Sequence, residues 1–340
     1  MTRYLARRLA SSAITIVLLA LIVFLVARVL PGDPALIRAG SEASPQLIAE
    51  IRAQYGLDLP LYQQFLNYVS GLLRGDFGIS IRTGGSVTRE LLGYLPATLE
   101  LSLAAFVVAA IVGVGAGTIA SLYEGRWPDS IVRGFTALGG SLPAFWVSLL
   151  AISTLVYKFG VFPSPRGRLP RGITPPGSIT GFYSFDAILS SDFGTARAAL
   201  WQLALPALIL GVLSSISLAR ITRGAMINAL RAPNARAARG LNLRTTSIVF
   251  GEGMRNAIPT IITSLGLVAG HLIAGNIIVE QIFAWPGIGR YLSTAVSYTD
   301  LDVVQGFVIV VGIGYVMINV IVDVAYAAAD PRIRLGGASK

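Results

Sequence analysis

The residues best suited to chemistry in this 340-residue chain are arginines gathered in one segment. Between Arg220 and Arg255 the sequence has seven arginines and a single acidic residue, Glu252. Guanidinium groups keep their charge near neutral pH and form directed hydrogen bonds to carboxylates. Apolar, uncharged stretches flank this segment on both sides. The segment is therefore predicted to be a surface that binds an acidic partner, and not a catalytic site.

The chain lacks the residues that common catalytic sites require. It has no cysteine, so it can form neither a thiolate nucleophile nor a cysteine-ligated metal site, and its only histidine is His271. Its two lysines, Lys158 and Lys340, do not follow the glycines of a phosphate-binding loop. We predict that the chain is not an enzyme and has no cofactor or metal of its own. If ATP powers this protein, the ATP and its magnesium must therefore be bound by another polypeptide.

The composition is typical of a membrane protein. Hydrophobic residues make up 54% of the chain and charged residues 13%, whereas soluble domains average about 25% charged residues. The net charge of +10 does not indicate nucleic-acid binding, because the arginines are spread over several loops without interleaved aromatic residues. Six uncharged stretches approach or exceed the roughly 20 residues that a membrane-spanning helix needs. They are Leu9–Ala27, Leu101–Tyr123, Gly134–Tyr157, Ala198–Ala219, Ala257–Val279 and Val303–Val322.

Basic residues predict how these stretches are oriented. Short loops rich in lysine and arginine stay on the cytoplasmic side of a membrane. The N-terminal segment, the segment 220–256 and the tail after Asp330 are basic, and all fall on one side if six helices alternate. Both termini are therefore predicted to be cytoplasmic. The first stretch is longer than the apolar part of a signal peptide, about 7–15 residues, so it is predicted to be a retained helix.

The external side is predicted to receive the longer loops. Ser44 and Pro45 suit a helix cap and a first helical residue, so a small extracytoplasmic helical subdomain is expected within 31–95. The segment Lys158–Arg197 is rich in proline and glycine, which favours a loop rather than a domain. The predicted domain order is then as follows: N-terminus and first transmembrane helix, 1–30; external subdomain, 31–95; five-helix transmembrane core, 96–330, with its cytoplasmic loop at 220–256; cytoplasmic tail, 331–340.

Glycines within the stretches predict close helix packing. Gly113 and Gly117 form a pair of small residues four apart, which lets two helices approach closely. Gly139, Gly140 and Pro143 interrupt the third stretch. An alternative is that some of these breaks line a passage through the membrane.

Short motifs occur in one register from end to end of the chain. They are Tyr4–Arg8, Leu30–Ala35, Tyr55–Leu61, Gly75–Ser80, Leu95–Glu100, Ser141–Trp146, Glu280–Gly289 and Asp323–Arg334. Together they resemble the first of the two permease subunits of peptide-type ATP-binding-cassette (ABC) importers, the inner-membrane components of binding-protein-dependent transport. The resemblance implies an all-α, type I importer-permease fold with six transmembrane helices in the cell inner membrane.

The resemblance also implies partners. Such a permease forms a heterodimer with a second, homologous permease, binds two cytoplasmic ABC ATPases, and receives substrate from an extracytoplasmic binding protein. It is surrounded by membrane lipid, and no nucleic-acid partner is expected. The family docks on its ATPases through a coupling helix, a short helix between the fourth and fifth transmembrane helices. The corresponding residues here are Asn234, Ala235, Arg236, Arg239, Gly240 and Leu241.

Local sequence agrees with a short helix at this position. Pro233 is suited to the first turn of a helix, and Gly240 is predicted to end it in a left-handed conformation. Arg236 and Arg239 are three residues apart and fall on one face, available to acidic groups of a partner. The alternative is that these arginines only bind anionic lipid.

A second candidate site is Trp285-Pro286-Gly287, at the external end of the fifth stretch. One interpretation is an aromatic anchor at the membrane interface, followed by a turn. The other is a part of the external gate or of the contact with the binding protein. Both fit the sequence.

The combined prediction is a permease subunit that forms half of the translocation pathway for di- or oligopeptides, or for related small solutes. Members of the family import dipeptides, oligopeptides, glutathione, nickel chelates or some oligosaccharides, and selectivity depends largely on the binding protein. The alternative is an ion-coupled secondary transporter, which is disfavoured because carboxylates are scarce within the apolar stretches. A non-transporting assembly factor is a third possibility, and the end-to-end resemblance argues against it.

Overall fold

Helices dominate this computed structural model, which describes residues 2–29, 34–40, 43–274 and 277–329. No β-strand occurs in these ranges, although one isolated bridge joins Ile79 and Ser86. The predicted tail 331–340 and most of the motif Leu30–Ala35 lie outside the described residues. The helices are α1 Thr2–Val29, α2 Pro34–Ala39, α3 Pro45–Gln54, α4 Leu61–Leu73, α5 Val87–Leu122, α6 Trp127–Gly139, α7 Ala144–Ala151, α8 Tyr183–Leu189, α9 Phe193–Arg231, α10 Pro233–Gly240, α11 Thr245–Ser247, α12 Met254–Ala274, α13 Ile277–Ile282, α14 Ile288–Ser297 and α15 Leu301–Ala329.

Among the described residues, five helical segments are long and apolar enough to cross a membrane. They lie within α1, α5, α9, the continuous segment Thr245–Ala274 and α15. The pair formed by α6 and Ala144–Lys158 meets the same criteria together but bends by 105° at its break. If this pair is one span, the total within the described residues is six. The predicted all-α fold is confirmed, with one of the six spans broken.

The third predicted span, Gly134–Tyr157, is broken where Gly139, Gly140 and Pro143 interrupt the sequence. α6 ends at Gly139, and α7 begins only after Pro143, which is its N-cap residue. Proline has no backbone N–H and disfavours a helical conformation in the residue before it, so the sequence at this point stops one helix and starts another. A π-helical segment, Ile152–Lys158, continues α7.

Other spans differ from the prediction in their bounds. α5 begins at Val87, well before the predicted Leu101, and α9 extends on both sides of the predicted Ala198–Ala219. Counting uncharged residues misses helix ends that carry charges. In the fifth predicted span, Ala257–Val279, α12 extends to Ala274 and α13 begins at Ile277, and residues 275 and 276 lie outside the described residues.

The first of two compact units comprises residues 1–95 and 290–316. In this unit the ring of Phe24 in α1 lies 5.4 Å from the ring of Phe65 in α4. α3 begins as predicted, since the Ser44 hydroxyl accepts a hydrogen bond from the backbone N–H of Leu47, and Pro45 is the first helical residue. These contacts make the segment after α1 an ordered helical structure.

The second unit comprises residues 96–289 and 317–340, and several of its helices, among them α6, α8 and α12, pack against α9. One face of α5 packs into its core through four residues at four-residue spacing, each at most 1% exposed. These are Ala97, Leu101, Ala105 and Ala109. Their partners in the same cluster include Leu203 and Leu210 of α9 and Leu272 of α12. A four-residue spacing puts small side chains on one helix face, so the backbones come close.

Gly113 and Gly117 confirm the predicted close packing. A β-carbon on Gly113 would lie 2.8 Å from the Leu218 side chain, and one on Gly117 would lie 2.6 Å from the backbone oxygen of Ala219. Gly115 faces away, with no atom within 4 Å of such a β-carbon. The paired glycines therefore serve the α5–α9 contact.

Candidate functional site

The predicted coupling segment forms the helix α10, and one of its faces is buried. The helix begins at Pro233, as the sequence predicts. Ala235 and Ala238 are 0% and 7% exposed and belong to a cluster that includes Met226 and Leu230 of α9. Because alanine side chains are short, α10 lies directly against this cluster. It is thus held by the end of a long helix and not by a flexible tether.

The outer face of α10 is basic. Arg236 and Arg239 are both exposed, and α10 contains no acidic residue. Asn234 is exposed at the beginning of the same helix. The structure therefore places the polar residues predicted for this site on an accessible surface and the alanines beneath them.

The C-terminal end of α10 differs from the prediction. Gly240 is the last helical residue, and the residue with a left-handed φ, 57°, is Asn242. The backbone N–H groups of Leu241 and Asn242 donate to the carbonyls of Ala237 and Arg239 and close the helix. Asparagine adopts this conformation more readily than most residues other than glycine. The prediction that Gly240 is the left-handed residue at the helix end was therefore wrong, since that residue lies two positions later.

Large apolar side chains are exposed beside α10. Leu241, Leu243 and Phe250 are 76%, 52% and 69% exposed. Leu241 and Leu243 lie outside the segments that are long and apolar enough to cross a membrane, whereas Phe250 lies within the segment Thr245–Ala274. Exposed apolar side chains outside a membrane, such as those of Leu241 and Leu243, are typical of a contact with another protein. Of these three, only Leu241 was among the predicted site residues.

One ion pair with a buried carboxylate and one further hydrogen bond connect α6 to the end of α9 that carries α10. Asp129, 1% exposed, accepts hydrogen bonds from Arg223 Nε at 2.5 Å and Arg223 Nη2 at 2.8 Å. The backbone N–H of Gly125 also donates to this carboxylate, at 3.0 Å. Arg220 Nη2 donates to the carbonyl of Thr136 in α6 at 3.2 Å. Arg231 also pairs with Glu124, so three of the seven arginines make contacts within the chain, which their sequence alone did not reveal.

The second candidate site, Trp285-Pro286-Gly287, forms a buried turn against α5. Trp285 is 1% exposed, and its Nε1 donates to the carbonyl of Ala97 at 2.8 Å. The interpretation as an aromatic anchor exposed at the membrane interface is therefore wrong. A role of this turn in an external gate or in receptor binding stays a prediction.

A buried carboxylate holds the same turn in place. Glu280 is 0% exposed, and the Thr98 hydroxyl donates to its Oε1 at 2.6 Å. The same hydroxyl oxygen accepts the backbone N–H of Ile288 at 2.9 Å. A β-carbon on Gly287 would lie 2.3 Å from both Glu280 Oε1 and Thr98 Oγ1, so no larger residue fits without displacing them.

The segment Lys158–Arg197 contains structure that the prediction of a loop missed. Arg168 and Glu100 are 7% and 5% exposed and form an ion pair of 2.5 Å. Ser184 donates to Glu100 Oε1 through its backbone N–H at 2.8 Å and through its hydroxyl at 2.5 Å. The Arg168 guanidinium also lies 3.5 Å from the centre of the Tyr183 ring. Sequence offered one signal, Glu100 within an otherwise uncharged run of α5, since a buried carboxylate requires a partner.

Asp186 fixes the local shape of this segment. Its carboxylate accepts hydrogen bonds from the hydroxyl of Thr180 and from three backbone N–H groups, those of Ile179, Thr180 and Gly181. Burial raises the pKa of Asp186, but these hydrogen bonds lower it more, so the pKa lies below its usual value. The carboxylate is therefore ionised at neutral pH and holds α8 at the end of the proline-rich segment.

The structure does not bring the two candidate sites together. The external contacts involve Thr98 and Glu100 of α5, whereas the contacts near α10 involve the region of Leu122. Twenty-four residues of helix separate Thr98 from Leu122, a distance of about 36 Å. His271, the only histidine, is exposed on α12 and belongs to neither site. The described part of the chain contains no group of three or more acidic or histidine residues arranged to hold a metal.

Comparison with known families gives two matches that together cover most of the chain. Residues 113–335 match a family described as the inner-membrane component of binding-protein-dependent transport systems. Residues 1–102 match the N-terminal region of membrane components of the same systems.

Similar proteins are found over almost the whole length. A probable D,D-dipeptide transport system permease protein of Escherichia coli is 41% identical over 316 residues, 93% of each chain. A di/tripeptide transport system permease protein of Pseudomonas aeruginosa is 40% identical over 336 residues, which cover 98% of this chain and 99% of that protein. A glutathione transport system permease protein of Escherichia coli is 35% identical over 335 residues, with the same coverage.

Proposed function

The chain belongs to the family of inner-membrane components of binding-protein-dependent transport systems, and we propose that it is one of the two permease subunits of a peptide importer. Partner ATPases drive its movement through α10. The family places the chain in the inner membrane as a multi-pass permease subunit of an ABC importer. ATP hydrolysis in such importers is carried out by separate subunits. This chain supplies part of the pathway and the surfaces that join it to its partners.

Di- and tripeptides are the substrate class that the relatives support. Three similar permeases are named for transport of D,D-dipeptides, of di- and tripeptides, and of glutathione, which is itself a modified tripeptide. The compounds in these names share a short peptide backbone and differ in stereochemistry and side chains. We assign short peptides to this chain as a class, and leave the individual peptide to the binding protein.

The partners follow from the transport system. A second, homologous permease completes the pathway as a heterodimer, two ATPases dock on the cytoplasmic side, and a binding protein delivers substrate from outside. The ion-coupled alternative is not favoured by the relatives, all three of which are named as transport system permease proteins.

The structure of α10 supports its role as the coupling helix. Its inner face rests on the end of α9 through Ala235 and Ala238, and its outer face presents Arg236 and Arg239. A short rigid helix that is fixed to a membrane-spanning helix transmits displacement in both directions. When the ATPases close on ATP, movement of α10 shifts α9 and so changes which side of the pathway is open.

The buried external turn supports a gate on the other side of the membrane. Glu280, Thr98 and Gly287 join the turn after α13 to α5 within one tightly packed contact. Close packing of this kind has discrete arrangements and does not deform gradually. We assign Trp285, Pro286 and Gly287 to the external gate, where the turn moves as one piece with α5.

The coupling role is tested by a pair of substitutions at Gly240. A β-carbon at this position meets no atom within 4 Å, so Gly240→Ala is expected to leave uptake within twofold of wild type. Gly240→Pro removes a backbone N–H and clashes with the preceding turn of α10, at a cost of about 3 kcal/mol. We expect Gly240→Pro to abolish uptake of a radiolabelled dipeptide by proteoliposomes that contain the complete importer, while ATP hydrolysis continues uncoupled from transport.

Membrane insertion is the control, measured as the amount of each variant in the membrane fraction. Both variants should be inserted like wild type, because Gly240 is exposed and lies outside the membrane-spanning segments. Uptake by Gly240→Pro at the level of Gly240→Ala would overturn the assignment of α10 as the coupling helix. Competition by unlabelled glutathione and by D,D-dipeptides in the same assay then ranks the substrates.

A further inference from the structure

A cavity of about 270 Å³ lies within the first unit, between α1, α2, α4 and the beginning of α15. Pockets that enclose drug-sized ligands have volumes of about 300–1,000 Å³, so this cavity suits a smaller molecule. Part of its wall is aromatic and comes from Phe24, Tyr55, Tyr68 and Phe77. No role proposed above for α10 or for the external turn involves this cavity.

The cavity lies where two apolar spans end. Arg28, in its wall, is the last residue of the candidate span Ala10–Arg28, and Leu301 and Asp302 are the first residues of the candidate span Leu301–Ala325. When both termini are cytoplasmic, the end of α1 and the beginning of α15 are both on the external side. A ligand can therefore reach this cavity from outside without crossing the membrane.

Arg28 adds a positive charge to the wall without a carboxylate to neutralise it. Its Nε donates to Gln64 Oε1 at 2.9 Å, and its guanidinium lies 5.2 Å from the centre of the Phe24 ring. Within the described residues it forms no ion pair. The other arginine of the wall, Arg38, is paired with Asp302. The Nη groups of Arg28 are therefore available to a ligand.

Two further polar groups of the same wall lack partners. The Tyr68 hydroxyl is buried and has no hydrogen-bond partner in the described part of the chain. Burial and, to a smaller extent, the charge of Asp302 raise the pKa of Tyr68 to about 12, so the hydroxyl keeps its proton at neutral pH. Gln305 is 8% exposed, and its side-chain amide makes no hydrogen bond among the described residues. Buried polar groups are normally paired, so a bound molecule is expected to supply these partners.

Arg28 and Tyr68 are close enough to bind one carboxylate together. Arg28 lies over the Phe24 ring, and the centre of the Tyr68 ring lies 5.8 Å from the centre of the same ring. On α4, Tyr68 follows Gln64, the residue that holds Arg28, by one turn, a rise of about 6 Å. A carboxylate has two oxygens, so it can accept hydrogen bonds from a guanidinium and a hydroxyl at once.

The acidic residues of the wall favour a ligand that also has a positive charge. Asp76 is exposed, accepts the backbone N–H of Gly78 at 2.9 Å, and forms no ion pair among the described residues. Asp302 adds a second carboxylate to the lining. These two carboxylates repel a doubly charged phosphate, whereas an ammonium group can donate to Asp76 and to the side-chain oxygen of Gln305. The lining therefore matches a small zwitterion.

We propose that this cavity binds an amino acid or a dipeptide in its zwitterionic form. The carboxylate binds Arg28 and Tyr68, and the ammonium group lies toward Asp76 and Gln305. Such a ligand connects α1 to α4 and α15, so it stabilises the first unit when amino acids or short peptides are present outside. The site consists of residues of the first unit alone, and it depends neither on passage of peptide through the membrane nor on α10.

Calorimetric titration of the purified importer complex with alanylalanine, without nucleotide and without the binding protein, tests this proposal. Wild type should bind alanylalanine but not alanylalanine amide, which lacks the carboxylate. Tyr68→Phe removes only the hydroxyl and should weaken binding about tenfold, the factor for one hydrogen bond to a charged group. Without peptide the same variant should unfold at no lower temperature than wild type, because the hydroxyl has no partner to lose among the described residues.

Tyr62→Phe is the matched control, because Tyr62 lies on the same helix, is 64% exposed and does not line the cavity. This variant should bind alanylalanine like wild type. Gln305→Met is a second test, since methionine keeps the length of the side chain and removes its amide. It should weaken binding without lowering the unfolding temperature of the peptide-free protein.

Equal affinity of Tyr68→Phe and Tyr62→Phe would overturn the proposal, since the peptide would then bind elsewhere, for example in the translocation pathway. Equal binding of alanylalanine and its amide would overturn it too, because the carboxylate would not be recognised. No saturable heat change with wild type would mean that only water fills the cavity. The titration measures neither transport nor ATP hydrolysis, so its failure remains distinguishable from a failure of the proposed import function.

Discussion

Individual buried carboxylates determine how the external part of the second unit is held. Glu100 and Glu280 are 5% and 0% exposed, on α5 and α13. Burying a carboxylate destabilises the folded protein unless charged or polar donors surround the group. Removing a donor is therefore destabilising, because the carboxylate stays buried with fewer partners. Arg168 is the charged donor to Glu100 and comes from 68 positions further along the chain. The segment Lys158–Arg197 is thus attached to α5 by one ion pair and the hydrogen bonds of Ser184.

At the residue scale, Arg168→Gln is expected to loosen this segment. The substitution leaves Glu100 buried without its counter-charge, which costs about 3 kcal/mol, the lower end for a broken buried pair because Ser184 still donates to the carboxylate. Hydrogen–deuterium exchange should show faster exchange over residues 159–192, and the thermal midpoint of the purified protein should fall.

The matched substitution is Arg166→Gln, two residues away. Arg166 is exposed, so its loss should change exchange and thermal midpoint little, as for most surface positions. Equal exchange rates in the two variants would mean that the Arg168–Glu100 pair does not hold the segment.

Among the elements, the contact between α5 and α9 depends on glycine. A β-carbon on Gly117 would approach the backbone of α9 to 2.6 Å at the Ala219 oxygen and 2.9 Å at the Arg223 nitrogen. Backbone atoms cannot rotate out of the way as a side chain can. The two helices can keep this distance only while position 117 has no side chain.

The prediction for this contact compares two glycines of one helix. Gly117→Ala should destabilise the folded protein by about 1–3 kcal/mol through overpacking. Gly115→Ala meets no atom within 4 Å and should be neutral or slightly stabilising, because alanine favours helix more than glycine does. Thermal unfolding in detergent of both variants measures the difference. A Gly115→Ala variant as unstable as Gly117→Ala would show that helix packing is not the cause.

The features of these elements that the sequence predicts well depend only on neighbouring residues. The cap at Ser44, the first residue of α10 at Pro233 and the close approach at Gly113 and Gly117 each depend on residues within one or two helical turns. The bend of 105° after Gly139 was indicated by glycines and a proline, but its angle depends on how the two short helices pack. The left-handed residue at Asn242 depends on where α10 frays, which differs by a residue or two among similar helices.

The candidate sites were predicted less completely, for a physical reason. The pair of Arg168 with Glu100 and the contact of Thr98 with Glu280 join residues far apart in sequence. Helical periodicity reports which face of a helix is apolar, but not which distant loop covers it. A short helix was predicted from Pro233 and Gly240, whereas the burial of Ala235 and Ala238 against Met226 required the fold.

On the scale of the whole molecule, apolar surface remains for lipid and for partners. Side chains such as Ile111, Leu138 and Met317 are 69%, 73% and 60% exposed on membrane-crossing or bent helices. Lipid tails or another membrane subunit can cover such positions. Leu241 is different, since it is 76% exposed beside a basic helix outside the apolar spans. Water would face this side chain unless a partner covered it.

The assembly therefore predicts a selective effect of Leu241→Asp. Affinity-tagged wild type, extracted gently from native membranes, should bring down one homologous permease and ATPases with a phosphate-binding loop, as identified by mass spectrometry. Burial of a leucine contributes about 1.5–3 kcal/mol, so Leu241→Asp should weaken ATPase retention by about ten- to a hundredfold. The second permease should remain bound if its contact is made within the membrane-spanning helices, because Leu241 lies outside them.

Leu73→Asp provides the control, since Leu73 is 84% exposed at the end of α4, in the region predicted to be external. It introduces the same charge and should retain both the second permease and the ATPases. Recovery of wild type alone, or with only a second copy of itself, would contradict the heterodimer. Retention of the ATPases by Leu241→Asp at the level of Leu73→Asp would mean that the apolar group beside α10 is not their docking surface, and the basic face of α10 would then have to hold them without it.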